Sequence, residues 1–180
     1  MSTIYEECPK GVADMAASII SEFESHQPLA DAGVKVDFIF AQNEDGDAIK
    51  WAGAKALALC RKLGLKDRAM GRGDAEILID MDWWINAGME EKRALLDHEL
   101  HHIEVVAEKR DDLGRPVIKL RKHDVQVGWF RVIAERHGQA STECQQARLI
   151  YDAYGQAFWP NLTKASAASN SRIRNLETVS

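Results

Sequence analysis

Two histidines four residues apart, His98 and His102, and the glutamate between them, Glu99, are the residues of this sequence best suited to chemistry. Residues four apart lie one above the other on a helix, so both imidazoles can point a ring nitrogen at one ion, with Glu99 beside them. Zinc in such a site takes two neutral imidazoles and a third protein ligand, and keeps one position for water. Glu99 is then placed to accept a proton from that water and pass it to a leaving amine. The segment therefore predicts a zinc-dependent hydrolase, and amide hydrolysis is a reaction that it suits.

The surrounding sequence predicts one long helix over residues 90–109. A helical wheel gives it an apolar stripe (Leu96, Leu100, Ile103, Ala107) and an opposite polar stripe (Asp97, His101, Glu104, Glu108). His98, Glu99 and His102 lie between the two stripes, next to the core, where a carboxylate is costly unless a charge compensates for it. A bound dication would compensate. We expect His101, on the polar stripe, to be exposed, and we assign it no metal role.

The third metal ligand has to come from elsewhere in the chain. The metzincin pattern requires Gly and His three and six residues after the second histidine, and here those positions hold Val105 and Glu108. His123 is the first candidate, because it lies between a short predicted strand and the next helix, where the chain can easily turn back toward the motif helix. We therefore predict a metal site made by His98, His102 and His123.

Three carboxylates remain as alternatives to His123. Asp124 could bind the metal, could orient a histidine ligand, or could cap the helix that follows it. Glu135 and Glu143 could each supply a carboxylate ligand, although each also has an ordinary place on a helix surface. His26 and His137 have no supporting context, and we interpret them as ordinary surface or core histidines.

The elements that must position these residues are helices alternating with strands. Helices are predicted over residues 12–26, 50–63, 90–109 and 124–138, and from 142 to just before Pro160; strands are predicted over 34–41, 75–83 and 116–121. Trp83 and Trp84, at the end of the second strand, are expected in the core. At this length we expect one domain over residues 1–162, and the Ser-, Ala- and Asn-rich stretch 163–180 predicts a disordered tail.

Composition excludes several classes of protein. A net charge of −5 and a pI near 5.7 give no general attraction to nucleic acid. The sequence has no apolar run of membrane-spanning length and no secretory start, so we expect a cytoplasmic protein. Cys8, Cys60 and Cys144 form no CxxC pair, which speaks against a disulfide frame or a cysteine-bound zinc.

The histidine segments also carry a resemblance to a known family. The sequence Asp97-His98-Glu99-Leu100-His101-His102, then Lys122-His123-Asp124-Val125, and after Phe130 the helix end Glu135-Arg136-His137-Gly138, resembles the phage metallopeptidase family over roughly residues 34–138. That family is zincin-like and distantly similar to SprT-type and WLM-type peptidases. The resemblance implies a zincin-like α+β fold, with a small mixed sheet packed against helices and the HExxH motif on a central helix.

The same resemblance implies a zinc ion, with His98, Glu99 and His102 in the roles argued above and His123 in the family's second histidine segment. A peptidase would act on a protein or peptide substrate, whose identity the resemblance does not reveal, and we expect the host cytoplasm as the location if a phage encodes the chain. Two other functions stay open. One is a non-catalytic zincin-like module that binds a host protein or nucleic acid, and the other is a DNA-associated protease of the SprT type, against which the net acidity counts.

Overall fold

Strands and helices alternate along the chain in the computed structural model, which describes residues 2–51, 53–123 and 130–154, with only the backbone for residues 150–154. The strands are β1 (Ile4–Glu7), β2 (Val36–Gln42), β3 (Lys50–Trp51), β4 (Ala54–Lys55), β5 (Ala58–Lys62), β6 (Ala75–Asp80), β7 (Ile103–Arg110) and β8 (Pro116–Leu120). The helices are α1 (Lys10–Glu22), α2 (Gln27–Ala32), α3 (Leu65–Ala69), α4 (Met81–Asn86), α5 (Met89–His101), α6 (Arg131–His137) and α7 (Thr142–Tyr154). Short 3-10 turns, Glu24–His26 and Gly138–Ala140, precede α2 and α7.

Four strands form the main sheet, in the order β1-β2-β6-β5. The two inner strands, β2 and β6, run parallel, and each outer strand is antiparallel to its neighbour. Every residue of β6 is buried, as expected for a strand covered on both faces. The predicted α+β class is therefore confirmed, with a small mixed sheet and helices packed against it.

Packing in the core determines which side of the motif helix faces inward. The largest cluster of buried apolar side chains in the core joins α1, α5 and the sheet strands β2, β5 and β6. Leu96 and Leu100 of α5 are fully buried in this cluster, so the apolar stripe predicted on this helix is confirmed at those two positions. Burial of a leucine side chain stabilises the fold by about 1.5–3 kcal/mol. The direction in which His98 points follows from this packing.

Three strands, β3, β4 and β5, lie in the segment 50–63, so the helix predicted there is wrong. Gly53, at a backbone φ of 85°, lies between the two arms of the short β3–β4 hairpin, and β5 follows. Ala and Leu favour helices, which explains the error. Pairing of β5 with β6 buries Ala58 and Cys60 in the core, and this tertiary packing outweighs the weak intrinsic preference.

The motif helix is also shorter than the predicted span 90–109. Helix α5 ends at His101, His102 caps it, and β7 begins at Ile103. The residues that follow include β-branched side chains, which suit a pleated sheet. Strand β7 pairs with β8, opposing Ile103 to Leu120, and this hairpin replaces the last third of the predicted helix.

Several other elements begin or end at residues different from those predicted. The strand predicted over 75–83 stops at Asp80, whose side chain accepts a hydrogen bond from the Trp83 backbone and caps α4. Trp83 and Trp84 are partly buried against the core, as predicted. Of the helix predicted over 124–138, residues 131–137 are helical, and residues 124–129 lie outside the described residues, as does the predicted tail. In the part of the chain that the structure describes, no helix is both long and apolar enough to cross a lipid bilayer.

Candidate metal centre

Three histidines converge at the end of the motif helix. His98, His102 and His123 each present a ring nitrogen within 4.8 Å of the others. The Nε2 atoms of His98 and His123 are 3.2 Å apart. His98 lies in the last turn of α5, and His102 lies where that helix ends. The β7–β8 hairpin then returns the chain to this point and delivers His123, so the structure brings together the three residues predicted from the sequence.

The second ring nitrogens of two of these histidines point away from the common centre. Nδ1 of His98 lies 2.5 Å from Oε1 of Glu143, and Nδ1 of His102 lies 2.8 Å from the backbone oxygen of Arg121. An imidazole that donates a hydrogen bond through Nδ1 leaves the lone pair of Nε2 for a metal, which is the usual arrangement of histidine ligands. Both partners therefore orient the rings as a metal site requires.

The donor set fits zinc. Imidazole nitrogen is a common zinc ligand, and two Zn–N bonds of about 2.0–2.1 Å at a tetrahedral angle place the nitrogens roughly 3.4 Å apart. The separation of 3.2 Å between Nε2 of His98 and Nε2 of His123 is close to that value. Burial lowers the pKa of His102 to about 4, which keeps this ring neutral and able to bind a cation. Burial acts in the same direction on His98, but the hydrogen bond to Glu143 and nearby carboxylates raise its pKa overall.

Glu99 is buried beside this cluster, with 5% of its surface exposed. Burial raises the pKa of its carboxyl, and the charge of Glu143 raises it further, while His98 and a backbone hydrogen bond from Cys60 lower it by less. The contact with Cys60 places the carboxyl against the edge strand β5. A carboxyl whose pKa is raised by its surroundings is suited to take up and release a proton.

Phe130 forms an apolar wall of the cluster. It is fully buried, and its ring lies edge-on to His98, His101, His102 and His123, with centroid distances of 4.7 to 5.0 Å. The aromatic ring restricts the motion of the imidazoles and keeps water from one side of them. Sequence reasoning noted Phe130 only within the family resemblance, since a single aromatic residue before a helix carries no signal of its own.

Asp97 is fully buried, so its predicted position on the solvated stripe is wrong. Its carboxylate accepts hydrogen bonds from Nε2 of His26 at 2.6 Å, from Nε2 of His137 at 2.7 Å and from Nη1 of Arg136 at 3.0 Å. Burial raises the pKa of Asp97, but these hydrogen bonds and the charge of Arg136 outweigh it and lower the pKa well below its usual range. A buried carboxylate is tolerated because donors surround it. Sequence reasoning missed the roles of His26 and His137, because their partner lies far away along the chain.

His101 is 7% exposed, which contradicts its predicted exposure. Its Nε2 lies 3.1 Å from Nη1 of Arg121, and its ring packs edge-on against His26. Burial lowers the pKa of His101 to about 4, so the neutral ring accepts this hydrogen bond from the guanidinium. His26, Asp97 and His101 lie close enough to one another to suggest a second metal site. Guanidinium groups already bind two of the three, so we interpret this group as a hydrogen-bonded anchor.

The structure describes two of the three carboxylates considered as alternative ligands. Glu135 is exposed on α6, where its side chain pairs with Arg131. Glu143 contacts Nδ1 of His98, on the far side of the ring from the nitrogen that faces His123. Asp124 lies outside the described residues. Of the four candidates, His123 is the residue that the structure places among the other two histidines.

The fold and the site together define a mixed α+β protein with a candidate metal centre beside a buried glutamate. The chain belongs to the family described as "Putative phage metallopeptidase", whose model matches residues 3–156. The matched span contains both histidine segments, the Asp97 anchor and Glu143. A metallopeptidase family implies a bound metal, usually zinc, and the histidine cluster agrees with this. Curated proteins and solved structures gave no match to this chain.

Proposed function

We propose that this protein is a zinc-dependent peptidase in which His98, His102 and His123 hold the metal and Glu99 transfers the protons. The observation that carries the proposal is the convergence of three imidazole nitrogens, two of them on rings whose Nδ1 atoms are fixed by acceptors. The family match supports the activity. The position of the HExxH segment on a helix packed beneath a mixed sheet also supports a zincin-like fold.

The chemistry divides between the metal and Glu99. When bound, zinc would polarise the substrate carbonyl and lower the pKa of water at its open position. Glu99 accepts a proton from the water that attacks this carbonyl and then donates it to the leaving amine. Its buried carboxyl, with a raised pKa, is suited to both steps. Phe130 excludes water from one side of the site, which strengthens the electrostatic interactions within it.

A peptide fits this site better than a compact substrate. Among the described residues, β5 pairs with β6 on one side and with no strand on the other. The backbone of Cys60 in β5 hydrogen-bonds Glu99, so this strand runs beside the carboxyl. An extended peptide can add to such an edge through main-chain hydrogen bonds. Bound in this way, a peptide would pass its main chain close to Glu99.

Metal analysis and one substitution test the proposal. We expect the purified full chain to contain one zinc ion and to cleave unfolded protein substrates, with activity lost on chelation and restored by added zinc. Glu99→Gln is expected to keep the zinc and to lower kcat by about 10²–10⁴-fold. Glu104→Gln is the matched control, because Glu104 lies just beyond the motif on β7 and pairs with Lys119 on the surface. Absence of stoichiometric zinc, or full activity in Glu99→Gln, would show that the proposal is wrong.

A further inference from the structure

Glu143, in the first turn of α7, is 2% exposed, although it carries a carboxylate. One oxygen, Oε1, lies 2.5 Å from Nδ1 of His98. The other, Oε2, is buried and has no hydrogen-bond partner among the described residues. A buried carboxylate with one oxygen unpaired is costly unless a nearby charge compensates for it. The unpaired oxygen is therefore a reason to expect a compensating positive charge near Glu143.

A second buried carboxylate strengthens this argument. Glu99 is buried as well, and both carboxylates interact electrostatically with His98. A divalent cation on Nε2 of His98 would compensate for both, and its charge would reach Glu143 through the imidazole ring.

The start of α7 is held rigidly against the motif helix. Ser141 is fully buried, and its hydroxyl accepts a hydrogen bond from the backbone of Cys144 at 3.1 Å, so it caps α7. Gln145 donates to Glu91 at the other end of α5, at 2.9 Å. Glu143 lies between these two attachments, so its carboxylate has little freedom to leave His98.

We infer that Glu143 is a positioning residue, which holds His98 in the metal-binding orientation and strengthens the binding of zinc without contacting the ion. The inference rests on the proposed function. A carboxylate on the outer nitrogen of a histidine ligand fixes its tautomer and makes the ring a stronger donor, and loss of such a partner typically lowers metal affinity about 10–100-fold. Glu143 thus contributes to the site, although it lies 45 residues after His98 in the sequence.

Zinc affinity of the purified full chain tests this inference. Competition titration with a chromogenic chelator would be performed on the wild type, Glu143→Gln and Glu143→Ala. Glu143→Gln keeps an oxygen for the hydrogen bond and removes the charge, whereas Glu143→Ala removes both. We expect about a 10–100-fold loss of affinity in Glu143→Gln and at least as large a loss in Glu143→Ala. The visible spectrum of the Co²⁺-substituted protein is expected to change in Glu143→Ala, because His98 is free to turn.

Two controls separate this role from a general effect on folding. Ile133→Val removes a methyl group from a fully buried residue of α6, so it should lower the melting temperature and leave zinc affinity unchanged. Glu135→Gln changes an exposed glutamate on α6, and it should alter neither the melting temperature nor the zinc affinity. Wild-type zinc binding with unchanged affinity in both Glu143 variants would overturn the inference alone. Absence of zinc from the wild type would overturn the proposed function and the inference with it.

Discussion

His26 and Asp97 form a buried hydrogen bond of 2.6 Å between Nε2 and Oδ1, with each side chain at most 2% exposed. The two residues are 71 positions apart. Because Asp97 directly precedes His98, the hydrogen bond between His26 and Asp97 connects the Glu24–His26 turn, which follows α1, to the motif helix. Arg136 and His137, at the end of α6 and C-terminal to Asp97 in the sequence, bind the same carboxylate. One buried charge thus joins three elements next to the candidate metal centre.

Substitution of Asp97 tests the strength of this anchor. Asp97→Asn replaces one acceptor oxygen by a donor that faces other donors, and it leaves buried positive charge without its partner. Breaking a buried ion pair on one side typically destabilises a protein by about 3–5 kcal/mol. We expect a loss of this size in the free energy of unfolding, measured by urea denaturation with a chelator present. Glu22→Gln, which removes an exposed partner of Arg93, should cost at most about 1 kcal/mol. Equal stability in the two variants would contradict the role of Asp97.

Substitutions of His123 and His101 are expected to affect zinc binding differently. His123→Ala removes a proposed ligand and should weaken zinc binding by more than the roughly 10–100-fold typical of an outer partner. His101→Gln should leave zinc affinity near that of the wild type, since His101 faces Arg121 and keeps an acceptor there in the variant. Equilibrium dialysis against zinc buffers would measure both. The assignment of His123 is wrong if its variant binds zinc as tightly as His101→Gln.

Stability of the metal-free protein is expected to depend on pH through His101. Burial lowers the pKa of this ring to about 4, against the ordinary value of 6.5 that applies to the unfolded chain. Between these values the unfolded chain takes up a proton that the folded chain does not. The free energy of unfolding therefore decreases as the pH falls from 6.5 toward 4. Urea denaturation at about pH 7 and about pH 5 should show a smaller decrease in the free energy of unfolding for His101→Gln than for the wild type. An identical decrease in the wild type and the variant would rule out this contribution.

Phe130 is expected to affect both stability and metal binding. Phe130→Ala opens a cavity among the four imidazole rings and should cost about 3–5 kcal/mol, as for other buried phenylalanines. It should also weaken zinc binding, because the rings of His98 and His123 lose their common wall. Phe130→Leu, which keeps an apolar group of similar size, should have smaller effects on both quantities. Thermal unfolding and chelator competition on the same samples would test this, and zinc affinity unchanged in Phe130→Ala would contradict it.

The part of the site that could be predicted from the sequence is local. The spacing of His98 and His102 already implies two rings on one side of a helix. The short strand predicted over residues 116–121, just before His123, is β8. These predictions succeeded because short-range spacing determines the geometry. The helix predicted over residues 50–63 failed because pairing with β6, a distant segment, decides the conformation of β5.

The exposures predicted for Asp97 and His101 were wrong for a related reason. A helical wheel assumes one buried side and one solvated side. Helix α5 also meets the Glu24–His26 turn, α6 and α7, so Asp97 and His101 are buried on the side that the wheel assigns to water. The partners of these residues are polar groups far away in sequence. Such pairs leave no periodic pattern, and neither the Asp97 anchor nor the contact of Glu143 with His98 could be predicted.

The contact between Glu143 and His98 has a consequence for the order in which the site is made during synthesis of the chain. A ribosome completes His98, His102 and His123 before it reaches Arg136 and then Glu143. Until α7 has left the exit tunnel, the nascent chain carries all three proposed ligands, but His98 lacks the carboxylate that orients it. Assembly of the proposed metal centre is therefore expected to be a late event in biogenesis, because it requires residues of α7, the last helix that the structure describes.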